Sequence, residues 1–525
     1  MFKQTLAIVT AIAMTTTMMS FEGADCAKIL AAFPTPSYSH HSVYKVFIEA
    51  LADRGHEIVV LKSTKKVKYE GAKIREIDAS PADDYFNSLV RESSVFKKRG
   101  VVADSSTVTA QNYIGIANMV AYQFQLPAVK TFLENDANEK FDLIICEAFT
   151  DYTLILSHLF NDAPVVQISS GYGVAENFET MGAVSRHPIF YPNLWRDTFV
   201  DSNTWDTIKQ IYTELKLYNE FQSLEDKQNV MLKRRFGADA PTIKQLRDRV
   251  QLLLINVHHA LDNNRPVPPS VQYLGALHLN GKNLHRKKLD SYVKRYLDNS
   301  TRGAVYVSFG SSISTKDMEK EFIDMLLDTF ESLPYDVLWK FDDYKMLTRT
   351  PDNVLVQSWF DQYQLLKHDK VKAFVTQGGV QSMDEAIDAA VPLVGMPMMG
   401  DQFFNAHKFA QLNIGCVVDT ATVTSEELAR AIKNVASNER FKHKIIELRH
   451  FLRKQQVKPI DKAIWHTEQV IEVVARKNGS STLLKTKAAN VDYSEYMMSY
   501  VFLKMCAYTL MIHIAKILNS GMITY

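Results

Sequence analysis

The stretch "FVTQGGVQSMDEA", Phe374 to Ala386, gathers the densest set of groups able to do chemistry. An apolar run ends at Thr376, and Gly378 and Gly379 follow between Gln377 and Gln381. This order predicts a buried strand that turns into a helix starting near Val380. The first N–H groups of a helix have no internal partner, and the helix dipole adds positive potential there. Two glycines remove the side chains that would keep a phosphate away from those N–H groups. Gln381, in the first turn, can donate an amide hydrogen to the same phosphate. Glu385 lies four residues on, on the same face and about 6 Å further along. A carboxylate there suits the two hydroxyls of a ribose. Phosphate at the helix start and a diol one turn along describe a nucleotide.

Three other stretches carry suitable groups. "VPLVGMPMMGDQ" sets Asp401 and Gln402 just after a second strand. "SWFDQ" supplies Trp359, a flat surface for a base, and Gln362. "VSFGSS" ends a strand at Gly310 and Ser311. A glycine pair alone is more often a plain turn over an exposed acidic helix face. Four loops at one sheet edge, each with a polar or aromatic group, favour the nucleotide.

The elements that must position these residues are α/β throughout. "AKILAAFP", a helix-length "VYKVFIEALADRG" and "HEIVVL" form a β-α-β unit whose helix ends at Gly55. "FDLIICEA" and "APVVQIS" flank a further helical stretch. "GAVYVSFGSS", "YDVLWKF", "NVLVQSW", "VKAFVTQGG" and "VPLVGMP" follow in the second half. Short, bounded, Val-rich runs are the pattern of parallel strands buried on both faces. Two doubly wound domains are expected, with ligands in the cleft at the carboxyl ends of their strands. The Pro- and Asn-rich "HALDNNRPVPPSVQYLG", His259 to Gly275, is the natural seam. The expected division is 1–26 signal peptide, 27–265 acceptor-binding domain, 266–456 donor-binding domain, and 457–525 C-terminal helices packing partly back on the first domain.

A base is needed wherever a hydroxyl becomes a nucleophile. "FPTPSYSHHS" places His40 in a strand-to-helix loop facing the cleft, with His41 pointing away. A histidine near a helix N-terminus can also be functionless. "FDLIICEAFTDY" offers Glu147 at a strand end and Asp151 four residues later as the carboxylate that would orient His40.

The run "SWFDQYQLLKHDKVKAFVTQGGVQSMDEAIDAAVPLVGMPMMGDQFFNAHK" resembles the signature of UDP-sugar glycosyltransferases acting on small lipophilic acceptors. The resemblance extends from about Ala27 to "VKPIDKAIWHTEQV", Val457 to Val470. It implies the GT-B fold, two Rossmann-like domains facing across a cleft. It implies that Trp359 stacks on uracil and Gln362 contacts base or ribose. Ser311 and the Gly378–Gln381 turn would hold the diphosphate, and Gly310, Thr376, Gln377 and Ser382 would belong to the same donor site. Glu385 would bind ribose, and Asp401 and Gln402 the sugar hydroxyls. It also gives His40 the role of base, with Glu147 favoured as its partner and Asp151 as the alternative. The implied reaction is a direct, inverting displacement at the anomeric carbon, with neither metal nor cofactor. Many members have His where this chain has Gln377, and Asn where it has Gln381; the insect and insect-virus branch resembles this chain at both. Where Glu147 stands, the family usually has Asp.

Relatives that use UDP-glucuronic acid carry an Arg before the seam, where this chain has Asn256. A sugar carboxylate would lack its bidentate partner, so UDP-glucose is expected, then UDP-galactose. "VFKKRGVVADSSTVTAQNY" and "GYGVAENFETMGAVSRHPIFYPNLWR" resemble the baculovirus branch, whose members glucosylate a hydroxyl of ecdysteroid moulting hormones and so inactivate them. The alternatives are a detoxifying transferase of plant phenols and a secreted hormone-binding protein that has lost activity.

Bulk properties exclude some classes. Lys+Arg is 60 against Asp+Glu 59, which gives no nucleic-acid surface. Four scattered cysteines make no disulfide framework or zinc site. "TLAIVTAIAMTTTMM", Thr5 to Met19, behind Lys3, reads as a secretory signal. Export would permit glycosylation at Asn299 and Asn478. "MMSYVFLKMCAYTLMIHIAKIL", Met497 to Leu518, is broken by Lys504, His513 and Lys516. It is expected to be an amphipathic or buried helix rather than a membrane span, and the protein to be secreted and soluble.

Overall fold

The computed structural model of the chain describes residues 26–92, 110–136, 139–194, 204–282, 284, 287–311, 318–476 and 484–521. Two parallel sheets organise it. The first has seven strands in the order β3-β2-β1-β4-β5-β6-β7. These are Lys28–Phe33 (β1), Glu57–Lys62 (β2), Ile74–Asp78 (β3), Leu143–Glu147 (β4), Val165–Ser169 (β5), Val250–Ile255 (β6) and Val271–Tyr273 (β7). The second has six strands in the order β10-β9-β8-β11-β12-β13. These are Ala304–Ser308 (β8), Asp336–Lys340 (β9), Val354–Gln357 (β10), Val371–Thr376 (β11), Leu393–Gly395 (β12) and Gly415–Val417 (β13). In each sheet the order reverses beside the first strand, at β1/β4 and at β8/β11. Such switch points open a crevice at the carboxyl ends of the strands.

Alternation builds both faces of the first sheet. Ile29, Ala31 and Phe33 point to one core and Leu30 and Ala32 to the other. The Tyr38–Asp53 helix covers the first face with Val43, Tyr44, Phe47, Ile48 and Leu51, the period of an amphipathic helix. Phe47 is fully buried, so Phe47→Ala would cost about 3–5 kcal/mol. This anchorage fixes the helix start that carries His40.

The structure corrects two expectations. The first sheet runs past the 265/266 division, because β7 pairs with β6. The proline-rich Pro266–Pro269 is therefore a turn within the first domain, and the chain crosses to the second sheet after Tyr273. The C-terminal segment returns from the second domain to the first: Ala463, Val470 and Ile471 join the core around β1. Asn490 continues the contact through its N–H to the Glu179 carbonyl (3.0 Å).

The second correction concerns the Ser499–Gly521 helix. It is neither buried nor amphipathic. Residues 499–517 have no buried member, and by length and composition alone they could cross a membrane. Val501, Phe502, Leu503, Met505 and Tyr508 are all exposed and fall on every side of the helix. At 1.5 Å per residue the helix is about 35 Å long, so Lys504 and Lys516 lie near its ends. The signal segment and Asn478 lie outside the described residues. Asn299 is described and exposed at the end of its helix.

Candidate active site

The two switch points face each other. On the first domain, β1 ends at Phe33 and the chain turns into the Tyr38–Asp53 helix. His40, in its first turn, meets Glu147 from the end of β4, with Nδ1 and Oε1 2.6 Å apart. Tyr44, one turn after His40, donates its hydroxyl to the same Oε1 at 3.0 Å. The Thr35 N–H donates to Oε2 at 3.1 Å. Burial acts to raise the Glu147 carboxyl, but the His40 contact and the Thr35 N–H outweigh it and hold it below the usual carboxylate range. An ionised Glu147 fixes the proton of His40 on Nδ1. Nε2 is then the basic nitrogen, and Glu147 balances the cation formed when it takes a proton.

Of the two carboxylates left open by the sequence, only Glu147 reaches His40. Asp151 pairs with Arg247 at 2.7 Å, and Arg247 also holds Glu225 at 2.6 Å. Asp151 thus ties the loop after β4 to the Thr204–Phe236 helix. His41 turns away as expected, between the Tyr69 hydroxyl (2.8 Å) and the Ser63 hydroxyl (3.0 Å). Burial lowers its pKa to about 4. Phe149 stands edge-on to His40 with centroids 6.0 Å apart. It packs with Tyr113, Phe221 and Leu224 in a small apolar cluster of its own beside the imidazole. The sequence reading missed Tyr44, Thr35 and Phe149. Tyr44 was findable, because it lies four residues from His40 on one helix face.

On the second domain, β11 ends at Thr376 and the Val380–Ala389 helix begins with Gly379 as its N-cap. Gly378 has φ +90°, and a Cβ there would lie 3.2 Å from the Gln402 carbonyl. Only glycine makes that turn without strain. Gly310, at φ +76°, leaves room for the Gln377 side chain, which a Cβ would meet at 2.4 Å. The Gln377 amide oxygen is buried and has no hydrogen-bond partner among the described residues. Thr376 accepts the Gly378 N–H on its hydroxyl (3.2 Å). Ser311 is exposed beside Gly310.

Gln362, Ser382 and Glu385 come together. The Gln362 amide donates to Ser382 at 3.0 Å and to Glu385 at 2.8 Å. Glu385 is pushed up to about 7, by burial above all, against the Gln362 hydrogen bond. Asp401 is pushed up to about 6 by burial, against the Asn405 amide that donates to it at 3.1 Å and against the field of His40. Asp401 faces the first domain: a Cβ on Gly171, just after β5, would lie 4.0 Å from its Oδ2. Gln402 accepts the Met398 and Met399 N–H groups on its side-chain oxygen, which closes the loop after β12. Trp359 exposes about half its surface (53%), with the Tyr38 ring of the other domain edge-on at 5.3 Å.

Gln381 departs from expectation. Its amide donates to the Ser170 carbonyl of the first domain at 2.9 Å instead of pointing along the helix start. The same carbonyl accepts from Asn256 at 3.0 Å, and Asn256 accepts the Leu277 N–H at 2.7 Å. The residue read as the missing arginine is therefore a buried tie between β5, β6 and the crossing segment.

The comparisons with known proteins agree with this geometry. The UDP-glucoronosyl and UDP-glucosyl transferase family profile matches residues 27–522. The chain is 55% identical over 504 residues to the ecdysteroid UDP-glucosyltransferase of Mamestra brassicae nuclear polyhedrosis virus, covering 94% of each chain. It is 47% identical to that of Autographa californica nuclear polyhedrosis virus, over 90% of this chain and 94% of the relative. Among solved structures, Os79 from O. sativa in complex with U2F and trichothecene superposes with a TM-score of 0.59 at 15% identity, over 85% of this chain and 100% of that one. The kitacinnamycin glycotransferase gives a TM-score of 0.55 at 17% identity, over 85% and 99%. The structural likeness is one of fold, the GT-B arrangement of two facing doubly wound domains.

Proposed function

The chain belongs to the UDP-glucoronosyl and UDP-glucosyl transferase family, and from that premise we propose that it transfers glucose from UDP-glucose to a hydroxyl of an ecdysteroid, inactivating the hormone. The observation that carries the mechanism is the His40–Glu147 contact of 2.6 Å, set across the cleft from Asp401. His40 Nε2 takes the proton of the acceptor hydroxyl. The oxygen attacks the anomeric carbon on the face opposite the UDP. The bond from that carbon to the β-phosphate oxygen breaks, UDP leaves with the electron pair, and configuration inverts. Glu147 stabilises the imidazolium formed. Backbone N–H groups at the Gly379 helix start receive the charge that grows on the diphosphate. Glu385 accepts ribose hydroxyls, and Asp401 and Gln402 hold the sugar. No step calls for a metal. Similarity to the named viral enzymes supports the ecdysteroid, and the apolar cluster at Phe149 beside His40 suits a lipophilic acceptor.

The test is to incubate the purified protein with ecdysone and, separately, UDP-glucose, UDP-galactose and UDP-glucuronic acid. A hexose-sized mass gain with UDP-glucose, abolished by His40→Ala, is expected. Product with a phenol but not with ecdysone would move the assignment to detoxification. Hormone binding without product from any donor would move it to a binding protein. We propose that residues 1–26 direct export. Fractionation of expressing cells then separates release into the medium from a tether through Ser499–Gly521.

A further inference from the structure

Most of the donor-side groups come from the second domain. Tyr38 does not. It is the first residue of the Tyr38–Asp53 helix, two positions before His40. Its ring meets the indole of Trp359 edge-on, with centroids 5.3 Å apart and planes at 84°. That is a favoured geometry for two aromatic rings, worth more than the area it covers. The indole remains about half exposed at 53%, so the contact leaves surface open to a ligand. Burial raises the pKa of the Tyr38 phenol, and the carboxylates of Glu385 and Asp361 raise it further. Trp359, Asp361, Gln362 and Glu385 form one rim of the second domain, tied by the Gln362–Glu385 hydrogen bond of 2.8 Å. Tyr38 closes that rim from the opposite domain.

We propose that Tyr38 is a donor-binding residue supplied by the acceptor domain: it braces Trp359 over the nucleoside and couples occupancy of that site to the position of His40. The inference rests on the UDP-sugar reading and extends it. Tyr38 and His40 share one helical turn, about 3 Å apart along the axis. A nucleoside seated between Trp359 and Glu385 gives the Tyr38 ring and hydroxyl something to close on. Closing draws the turn that carries the base toward the sugar. Without a nucleotide, the Tyr38–Trp359 contact is the aromatic contact holding the rim shut.

UDP binding to the full chain, measured by calorimetry with no acceptor present, is the test. Tyr38→Ala should weaken UDP binding about tenfold and raise the KM for UDP-glucose to match. Tyr38→Phe keeps the ring and should stay within about threefold of the parent. The apo melting temperature should move little in either variant, because Tyr38 is only half-buried. In a double-mutant cycle with Trp359→Ala, the two losses should fall short of additive. Parent-like UDP binding by Tyr38→Ala, or fully additive losses, would overturn the proposal. If the parent bound no UDP, the donor reading itself would fall and take this inference with it. Failure of ecdysone as acceptor would leave the UDP measurement intact, so the two failures are distinguishable.

Discussion

The two sheet edges that face each other across the cleft hold their acids in opposite ways. On the acceptor side Glu147 is fully partnered: His40, Tyr44 and the Thr35 N–H all point at it, and its carboxyl is held below the ordinary range. On the donor side the hydrogen bonds to Glu385 and Asp401 come from neutral amides, of Gln362 and Asn405, with the buried His278 imidazole 3.9 Å from Glu385, and burial pushes the two acids to about 7 and about 6. The first edge is complete before any substrate arrives. The second is short of donors, and hydroxyl-rich ligands supply what it lacks. A catalytic pair must keep its geometry through the reaction, whereas a binding edge must prefer the occupied state.

The largest expected effect breaks the completed side. In Glu147→Gln the amide can donate to His40 Nδ1, which moves the imidazole proton to Nε2 and removes the base. The charge that balances the imidazolium is lost as well. We expect kcat to fall about a thousandfold, with the KM for UDP-glucose nearly unchanged. A normal kcat would end the role given to Glu147. The depressed carboxyl also carries a stability term. It is present above the unfolded-state range and is lost as pH falls through the lowered folded value.

Asp151 sharpens the contrast, because it is an acid of the same loop with a structural task. Asp151→Ala leaves Arg247 with Glu225 alone and should cost about 3–5 kcal/mol in a denaturant titration. The folded fraction should keep its kcat. A kcat loss as large as that of Glu147→Gln, in protein shown to be folded, would reinstate Asp151 as the partner of the base.

These two acids also mark what a sequence conveys. The fold was legible because Val-rich runs buried on both faces have few other uses, as in β8 and β11. The strand β3 was not, because "IREID" is half-exposed at the sheet edge and alternates weakly. Nor were β7 and β13, each of three residues. The seam was set too early because prolines mark turns within domains as well as between them. Glu147 and Asp151 could not be separated from spacing alone, since Arg247 lies almost a hundred residues away and its pairing is tertiary. The strand-to-helix turn at Gly378 and Gly379 was legible because one short stretch carries it. The contact of Gln381 with Ser170 was not foreseen because Ser170 belongs to the other domain, and Tyr38 escaped notice for the same reason. The C-terminal helix failed differently: an apolar composition fits both a buried helix and an exposed one, and only packing decides.

The incomplete side gives a prediction about pH. Glu385 binds a proton more tightly folded than unfolded, so the stability of the ligand-free protein should decline as pH rises from the unfolded carboxylate range through about 7. The ionised form is the one that accepts ribose hydroxyls. UDP affinity should therefore rise over the same interval, and the thermal shift caused by UDP should be larger at about pH 8 than at about pH 5.5. In Glu385→Gln, UDP affinity should fall about tenfold or more and lose most of this pH dependence. A pH-independent shift in the parent would mean that the carboxylate does not meet the ligand.

The smallest effect concerns the tie between the edges. Gln381 reaches the Ser170 carbonyl at 2.9 Å, a carbonyl already supplied by Asn256 at 3.0 Å. Asn is one methylene shorter, so Gln381→Asn should lose the contact without stranding a buried acceptor. Its own amide, at the first turn of the Val380–Ala389 helix, would then be free to turn toward a diphosphate. UDP binding should tighten or hold within about threefold, and kcat should fall by about the same factor as the domains close less firmly. Gln381→Leu removes both possibilities and should weaken both quantities. If Asn and Leu behave alike, the amide has no role beyond the domain contact. If Asn weakens UDP binding tenfold, Gln381 touches the nucleotide in the working enzyme, and the contact with Ser170 belongs to the ligand-free state alone.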